Sequence, residues 1–261
     1  MNRMENKIAV ITGGASGIGK ASAIRLAQEG AKITIIDRNA ERGKAVIKEI
    51  TELGGEAIFC QADITNEKQV ADAMAQTAKK WGTITTLFAN AGIVGTVSPI
   101  EQFSTKDWAA TIQNNVIGTF ETVSQAIPYL KDNGGTITIT SSVSGNRRFA
   151  QEGFSAYSSS KAAIAAFAKM AAIELAQHKI RVNSICPGTI DTNIFESLQE
   201  SESVNEINFP FDIPENGIPL KQEAGKSEEV ANLFLFLASD EASHLTGTEV
   251  YVDSAESLIK G

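Results

Sequence analysis

Short β-branched and apolar runs alternate along the chain with longer stretches in which apolar positions recur every three to four residues. Seven runs read as strands: KIAVIT (7–12), KITIID (32–37), EAIFCQAD (56–63), ITTLFAN (84–90), GTITITS (135–141), IRVNSIC (180–186) and EVYVD (249–253). Several are apolar nearly throughout, as strands buried on both faces are. Gly30, Gly54 and Gly82 read as stops for the first three helical stretches. Ser104, with Asp107 three residues on, is a capping box for the next, and Ser227 before Glu228 and Glu229 opens the last. Strands alternating with helices run parallel with right-handed crossovers. The pattern therefore predicts an α/β protein, a doubly wound sheet of about seven parallel strands with helices on both faces. No repeat, linker or low-complexity tract interrupts the 261 residues, so 1–261 reads as a single domain. The irregular part is 193–220, with Pro210, Pro214 and Pro219; an insert of this length in a compact domain is usually functional.

Directly after the first strand comes TGGASGIG (12–19), and a helix follows. Glycines often only make a turn. In this place, however, Gly13, Gly17 and Gly19 let the backbone turn tightly and approach a pyrophosphate, and the cradle they form with Ser16 and Ile18 opens on a helix N-terminus with free N–H groups. Asp37 ends the second strand, 18 residues beyond Gly19, where a carboxylate would hold the hydroxyls of an adenosine ribose. A 2′-phosphate there would meet like charge, about 4 kcal/mol per pair at about 4 Å and an effective dielectric of about 20 before screening. Asp37 therefore argues for NAD over NADP, and Arg38, next in sequence, would soften the preference.

Composition narrows the classes. The net charge of −8 disfavours the phosphate backbone of a nucleic acid as partner. The first ten residues carry Arg3, Glu5 and Lys7 without an apolar core, and no apolar run reaches the roughly 18 residues of a membrane span, so a cytoplasmic protein with no membrane partner is expected. Cys60 and Cys186 have no ligand spacing and read as buried small residues. With only His178 and His244, neither a zinc site nor a Ser-His-Asp triad is expected, and no metal.

In FSAYSSSK (154–161) a tyrosine and a lysine stand one helical turn apart, on one face. Tyrosine, with a pKa near 10, is a poor base at neutral pH, but a neighbouring ammonium, together with the positive ring of an oxidised nicotinamide, favours the phenolate. Alone, the stretch could as well be a solvated helix face. In company it means more: TGGASGIG, NAG (90–92), Ser142, YSSSK (157–161) and PG (187–188) follow one another in an order that resembles the short-chain dehydrogenase/reductase family, from Lys7 to about Asp253. The resemblance implies a hydride-transfer enzyme on a Rossmann-like sheet with a catalytic set of Asn115, Ser142, Tyr157 and Lys161. The family pattern around Gly118 selects Asn115 over Asn114, and SSVSG selects Ser142 over Ser141. Tyr157 would move the proton, Lys161 would lower its pKa and hold the nicotinamide ribose, Ser142 would steady the substrate oxygen, and Asn115 would hold a water linking Lys161 to solvent. Asp63 and Ile64 would flank the adenine and Asn90 and Gly92 would lie under its ribose. Pro187, Gly188, Ile190 and Thr192 would hold the carboxamide, and 193–220 would form the substrate lid.

Two departures stand out. Ser142 and Tyr157 are 15 residues apart, more than in many members, so 143–156 should bulge at the substrate mouth; Arg147 and Arg148 there either meet an anionic substrate or, as exposed basic pairs usually do, face water. Ser254 and Ala255 follow Asp253 where the family usually has two glycines, so that turn should differ. The favoured reading is an NAD-dependent oxidoreductase for a small secondary alcohol or ketone of sugar, polyol or diol type. The alternatives are a 3-oxoacyl-thioester reductase, disfavoured by Asp37, and a non-catalytic NAD-binding regulator. From Val182 to Leu220 there is no Lys or Arg, while Asp191, Glu196, Glu200, Glu202, Glu206, Asp212 and Glu215 are acidic, which favours a small neutral polar substrate. KAAIAAFAKMAAIELA (161–176) is apolar almost all round, so a homo-oligomer, a tetramer, is expected.

Overall fold

The computed structural model describes residues 2–209 and 217–259. Pro210, Asp212, Pro214 and Glu215 of the expected lid lie outside the described residues. Each of the seven runs forms a strand of one sheet: β1 (Ile8–Thr12), β2 (Lys32–Asp37), β3 (Glu56–Gln61), β4 (Thr86–Ala89), β5 (Gly135–Thr140), β6 (Ile180–Pro187) and β7 (Glu249–Val252). Their order across the sheet is β3-β2-β1-β4-β5-β6-β7, and every neighbouring pair is parallel. The chain thus steps outward from β1 in both directions, and the crevice where the order reverses, between β1 and β4, is where such sheets take ligands.

Helices cover both faces. On one side α1 (Gly17–Gln28), α2 (Ala40–Glu52) and α7 (Ser227–Ala238) bury Leu26, Val46, Ile50 and Phe234 against the sheet, with Phe234 stacked on Phe88 of β4 at 4.0 Å between ring centroids. On the other, α3 (Glu67–Trp81), α5 (Gly118–Leu130) and α6 (Ser155–Leu175) bury Met74, Val123 and Ile164. The short α4 (Thr105–Ile112) starts as expected, with Ser104 Oγ accepting the Asp107 N–H at 3.3 Å. Gly30, Gly54 and Gly82 follow their helices at φ of +94°, +82° and +95°, the left-handed stop that glycine adopts without strain. Among the described residues no helix is long and apolar enough to cross a membrane. Cys60 and Cys186 are free and buried.

The sequence reading needs two corrections here. Ser227 is the first residue inside α7; the cap is Lys226, whose N–H is held by the Glu229 carboxylate at 2.8 Å, and a further short helix, α8 (Glu256–Ile259), follows β7. Ser254 and Ala255 keep positive φ, +49° and +66°, although neither is glycine. Asp253 offsets the strain by accepting N–H bonds from Ala255 at 3.2 Å and Ser257 at 3.0 Å. Two short parallel strand pairs lie outside the main sheet: Leu198–Glu200 beside Gly95–Val97, and Gly225–Lys226 beside Ile190–Asp191.

Candidate active site

The C-terminal ends of β1, β2, β4, β5 and β6 open into a cleft of about 660 Å³, within the ordinary range for ligand sites. Gly13, Ser16, Gly17 and Ile18 line one end. Gly13 and Gly17 have φ of +65° and +49°, and a Cβ on Gly17 would sit 3.2 Å from Thr192 Cβ, so the glycine loop and the loop after β6 meet across the cleft. Gly19 does not line it. It lies beneath the loop, where a Cβ would be 2.1 Å from the Gly13 carbonyl oxygen, so its absence of a side chain serves the packing of α1 on β1.

Asp37, Arg38, Asp63 and Ile64 form the next stretch of wall. The Asp37 carboxylate is fixed by two backbone donors, Ala15 N–H at 3.1 Å and Asn39 N–H at 2.9 Å. Arg38 approaches Asp63 at 3.9 Å. Arg42, not anticipated from the sequence, makes a two-pronged pair with Glu196 at 2.9 and 3.1 Å. Asn90 and Gly92 line the cleft floor, but the Asn90 side chain is occupied in tying strand ends together: its amide donates to Thr12 O at 3.2 Å and its Oδ1 accepts from Thr140 Oγ1 at 3.0 Å. Pro187, Gly188, Ile190 and Thr192 line the far side.

Beyond them stand Ser142, Tyr157 and Lys161. Tyr157 is 9% exposed and Lys161 2%, because both project from the N-terminal turns of α6 into the sheet edge. Lys161 Nζ donates to Thr140 O at 2.9 Å and lies 5.6 Å from the centre of the Tyr157 ring. Phe154 packs edge-on against that ring at 5.9 Å. Ser142 Oγ accepts the Ser144 N–H at 3.1 Å, which leaves its proton for another oxygen, whereas Ser141 Oγ is spent on Lys161 O at 2.8 Å. Asn115 stands behind the wall in a π-turn (Gln113–Ile117), and it is Asn114 that lines the cleft. The Asn115 amide is clamped to both backbone groups of Ile93 at 2.9 Å and to Ser160 at 3.0 Å. A Cβ on Gly92 would lie 3.3 Å from both Asn115 Oδ1 and Lys161 Nζ, so these two flank the same glycine.

Burial pushes the Tyr157 phenol up to about 12, against a hydrogen bond with Ser142 that pulls it down, and burial lowers the Lys161 ammonium to about 8. In the protein alone the phenol therefore stays protonated at neutral pH, and the lowering expected from the sequence needs the positive nicotinamide ring beside the Lys161 ammonium. Loss of water around the phenolate is the largest cause of the rise, and the same burial disfavours the Lys161 ammonium.

The loop 146–154 carries Arg147, which is exposed, and Arg148, which is half-buried. The Arg147 guanidinium stacks 3.4 Å from the centre of the Tyr251 ring, and Arg148, which lines the cleft, donates to the Glu256 carboxylate at 2.5 Å. Both arginines are thus engaged by the C-terminal segment. Glu256 carried no local signal beyond being an acid just after the non-glycine turn.

The family model described as enoyl-(acyl carrier protein) reductase matches residues 13–254. A 2,5-dichloro-2,5-cyclohexadiene-1,4-diol dehydrogenase of Sphingobium indicum is 37% identical over 261 residues, covering 98% of each chain. A 3beta-hydroxysteroid dehydrogenase of Mediterraneibacter gnavus is 34% identical over 265 residues, 97% of this chain and 95% of the relative. Among solved structures, a 3-ketoacyl-ACP reductase from Sinorhizobium meliloti 1021 matches with a TM-score of 0.91 and 39% identity, over 96% of this chain and 99% of that one. With the glycine cradle, the Tyr157–Lys161 turn and these matches along nearly its whole length, the chain belongs to the short-chain dehydrogenase/reductase family of oxidoreductases.

Proposed function

We propose that the protein is an NAD-dependent oxidoreductase that moves a hydride between the nicotinamide and a small, uncharged secondary alcohol or ketone. The observation that carries this reading is that Ser142, Tyr157 and Lys161 line the same cleft as the glycine cradle. The residues present fit a dinucleotide: side chains on Gly13 or Gly17 would be strained and would crowd Ala91 or Thr192, and the Asp37 carboxylate waits at the ribose end. When bound, the nicotinamide supplies the hydride acceptor or donor. Tyr157 gives or takes the proton at its phenol oxygen, and the Ser142 hydroxyl donates to the substrate oxygen as charge develops there. Lys161, anchored on Thr140 O, keeps its other protons for the phenol and the nicotinamide ribose. Asn115 belongs to this set as the residue flanking Lys161 across Gly92, on the proton path to solvent.

With the phenol near 12 and the ammonium near 8, the free cleft at neutral pH holds a protonated tyrosine and a charged lysine. That is the state for reduction, in which Tyr157 donates to a carbonyl oxygen. Reduction is therefore expected to be fastest below about pH 8 and to fall as Lys161 loses its charge, while oxidation, which needs the phenolate, rises with pH. Rate profiles in the two directions that run parallel would contradict this assignment.

NAD is expected to be preferred over NADP by at least about tenfold in kcat/KM, on the order of 1.4 kcal/mol. Asp37 is held by two backbone donors, while Arg38 and Arg42, the neighbouring cations, are paired with Asp63 and Glu196. Asp37→Ala should narrow the gap; equal use of NADP by the wild-type protein would overturn the preference.

Ile93, Val94, Val143, Phe154, Ile194 and Phe195 give the substrate end apolar walls. These suit a carbocyclic alcohol, and the diol dehydrogenase relative is named for such a ring. The deciding experiment is a panel of cyclic and acyclic secondary alcohols and ketones with NAD and NADP, read by the absorbance of the reduced nicotinamide. The 3-ketoacyl-ACP reductase match favours a second reading, a 3-oxoacyl-thioester reductase, and that reading wins if an acetoacetyl thioester is the best substrate of the panel.

A homotetramer completes the proposal. On α6, Met170 is 69% exposed and Ile173 79%, opposite the face that packs on the sheet, and Phe120 of α5 is also open. Such a surface favours cover by a second copy. Light scattering at micromolar concentration should give four subunits; a monomer refutes it.

A further inference from the structure

The most deeply buried acid near the cleft takes no part in the chemistry described so far. Glu256 is fully buried at the start of α8. Its carboxylate accepts the Thr189 N–H at 2.7 Å, the Thr189 hydroxyl at 2.8 Å and the Arg148 guanidinium at 2.5 Å. Thr189 follows Pro187 and Gly188 on one wall of the cleft, and Arg148 stands in the loop 146–154 on the substrate side. One carboxylate therefore joins the two walls. Gly188 makes room for it, since a Cβ there would lie 2.6 Å from Glu256 Oε2. The strained Ser254–Ala255 turn, braced by Asp253, delivers Glu256 to this place.

A carboxylate this buried is retained only when its charge is met, and Arg148 meets it. The converse matters more for function. Arg148 lines the substrate end, and without Glu256 it would present an unpaired cation in a low-dielectric cleft, where an anion would be drawn strongly. The other cation at that end, Lys161, is committed to Thr140 O and the tyrosine side, and Arg147 stacks on Tyr251 outside it.

We propose that Glu256 is a positioning residue that sets the charge selectivity of the site: by neutralising Arg148 it makes the substrate mouth accept uncharged alcohols and ketones and refuse carboxylates. The inference rests on reading the cleft as a site for alcohols and ketones, and it assigns to one residue the neutrality of their substrate.

The test compares the wild-type protein with Glu256→Gln, Glu256→Asp and the double variant Glu256→Gln/Arg148→Met. Calorimetric titration of each NADH-loaded protein with cyclohexanecarboxylate reads anion binding without any turnover. Kinetics with cyclohexanone and 4-oxocyclohexanecarboxylate read the neutral-to-anionic ratio of kcat/KM. Glu256→Gln is expected to bind the carboxylate at least about tenfold more tightly than wild type and to lower the ratio by at least about tenfold. Glu256→Asp, whose carboxylate is one methylene short of Arg148, should move both readouts in the same direction by less, and it carries the test if the Gln variant does not fold. The double variant should return both to wild-type values. A purely structural role would lower activity toward both ketones alike and leave the ratio unmoved. An unchanged carboxylate affinity in folded Gln or Asp variants overturns the proposal, as does a double variant that keeps the gain. A wild-type protein that turns over neither ketone defeats the proposed reaction instead, and the carboxylate titration still decides the role of Glu256.

Discussion

Tyr157→Phe is expected to lower turnover by about a hundredfold or more while the affinity for NADH changes by less than about tenfold. The substitution removes one oxygen and keeps the ring, which packs edge-on against Phe154 and clusters with Val94, Val97 and Val204. The helix, the glycine cradle and Asp37 are untouched, so the groups expected to hold the dinucleotide remain. What disappears is the proton donor for reduction and, once ionised, the acceptor for oxidation. The pH dependence gives an independent check on the same residue. In the free protein burial holds the phenol near 12. An oxidised nicotinamide carries a positive charge, and its arrival beside the phenol favours the phenolate, so the pKa must fall on binding. A group whose pKa falls on binding releases a proton at any pH between the two values. NAD binding at about pH 9 should therefore release protons, readable by calorimetry in buffers of different ionisation enthalpy, and Tyr157→Phe should abolish the release. Oxidation by the wild-type protein should show an apparent pKa below that of free tyrosine. A Phe variant that keeps most of its turnover removes Tyr157 from the mechanism. If the wild-type protein binds NADH and turns over nothing in the panel, a non-catalytic dinucleotide-binding regulator becomes the better reading.

Gly19→Val is expected to weaken NADH binding at least about hundredfold and to lower the melting temperature. A Cβ at this position falls 2.1 Å from the Gly13 carbonyl oxygen and 2.8 Å from Asn90 Nδ2. The first of these is backbone, so no side-chain rotation relieves it, and either α1 moves away from β1 or the loop between them shifts. Overpacking of this kind costs about 1–3 kcal/mol or more. A displacement of about 1 Å in groups that must meet a ligand is enough for losses on the hundredfold scale. Gly54→Ala serves as the contrast. Its φ of +82° strains any side chain, yet nothing lies within 4 Å of the new Cβ and the site is far from the cleft. It should lower stability by about 1 kcal/mol and leave NADH binding unchanged. Calorimetric titration and thermal melts of the two variants separate loop displacement from general destabilisation; a Gly19→Val protein that binds NADH like the wild type would sink the argument.

The seven strands and their helices were legible because a short β-branched run buried on both faces and a 3.6-residue period are both local signals. The same locality places Tyr157 and Lys161 on one face of α6 and sets the glycine loop at a strand end. What the sequence could not determine depends on groups that meet across the fold. Arg148 and Glu256 are 108 residues apart and Arg42 and Glu196 are 154, and no pattern within either segment announces its partner. That Asn114 lines the cleft while Asn115 stands behind it is set in a π-turn, a single widened turn that no local period announces. The turn at Ser254 and Ala255 keeps the backbone that glycine would give, because side-chain bonds from Asp253 outweigh a strain of about 1–2 kcal/mol per residue. The burial of Tyr157 lay beyond what spacing alone shows, for a related reason. A one-turn neighbour fixes how close the ammonium comes, but how much water the phenolate loses is decided by Phe154, Ser142 and the strand ends that close around it, and only the tertiary structure assembles those.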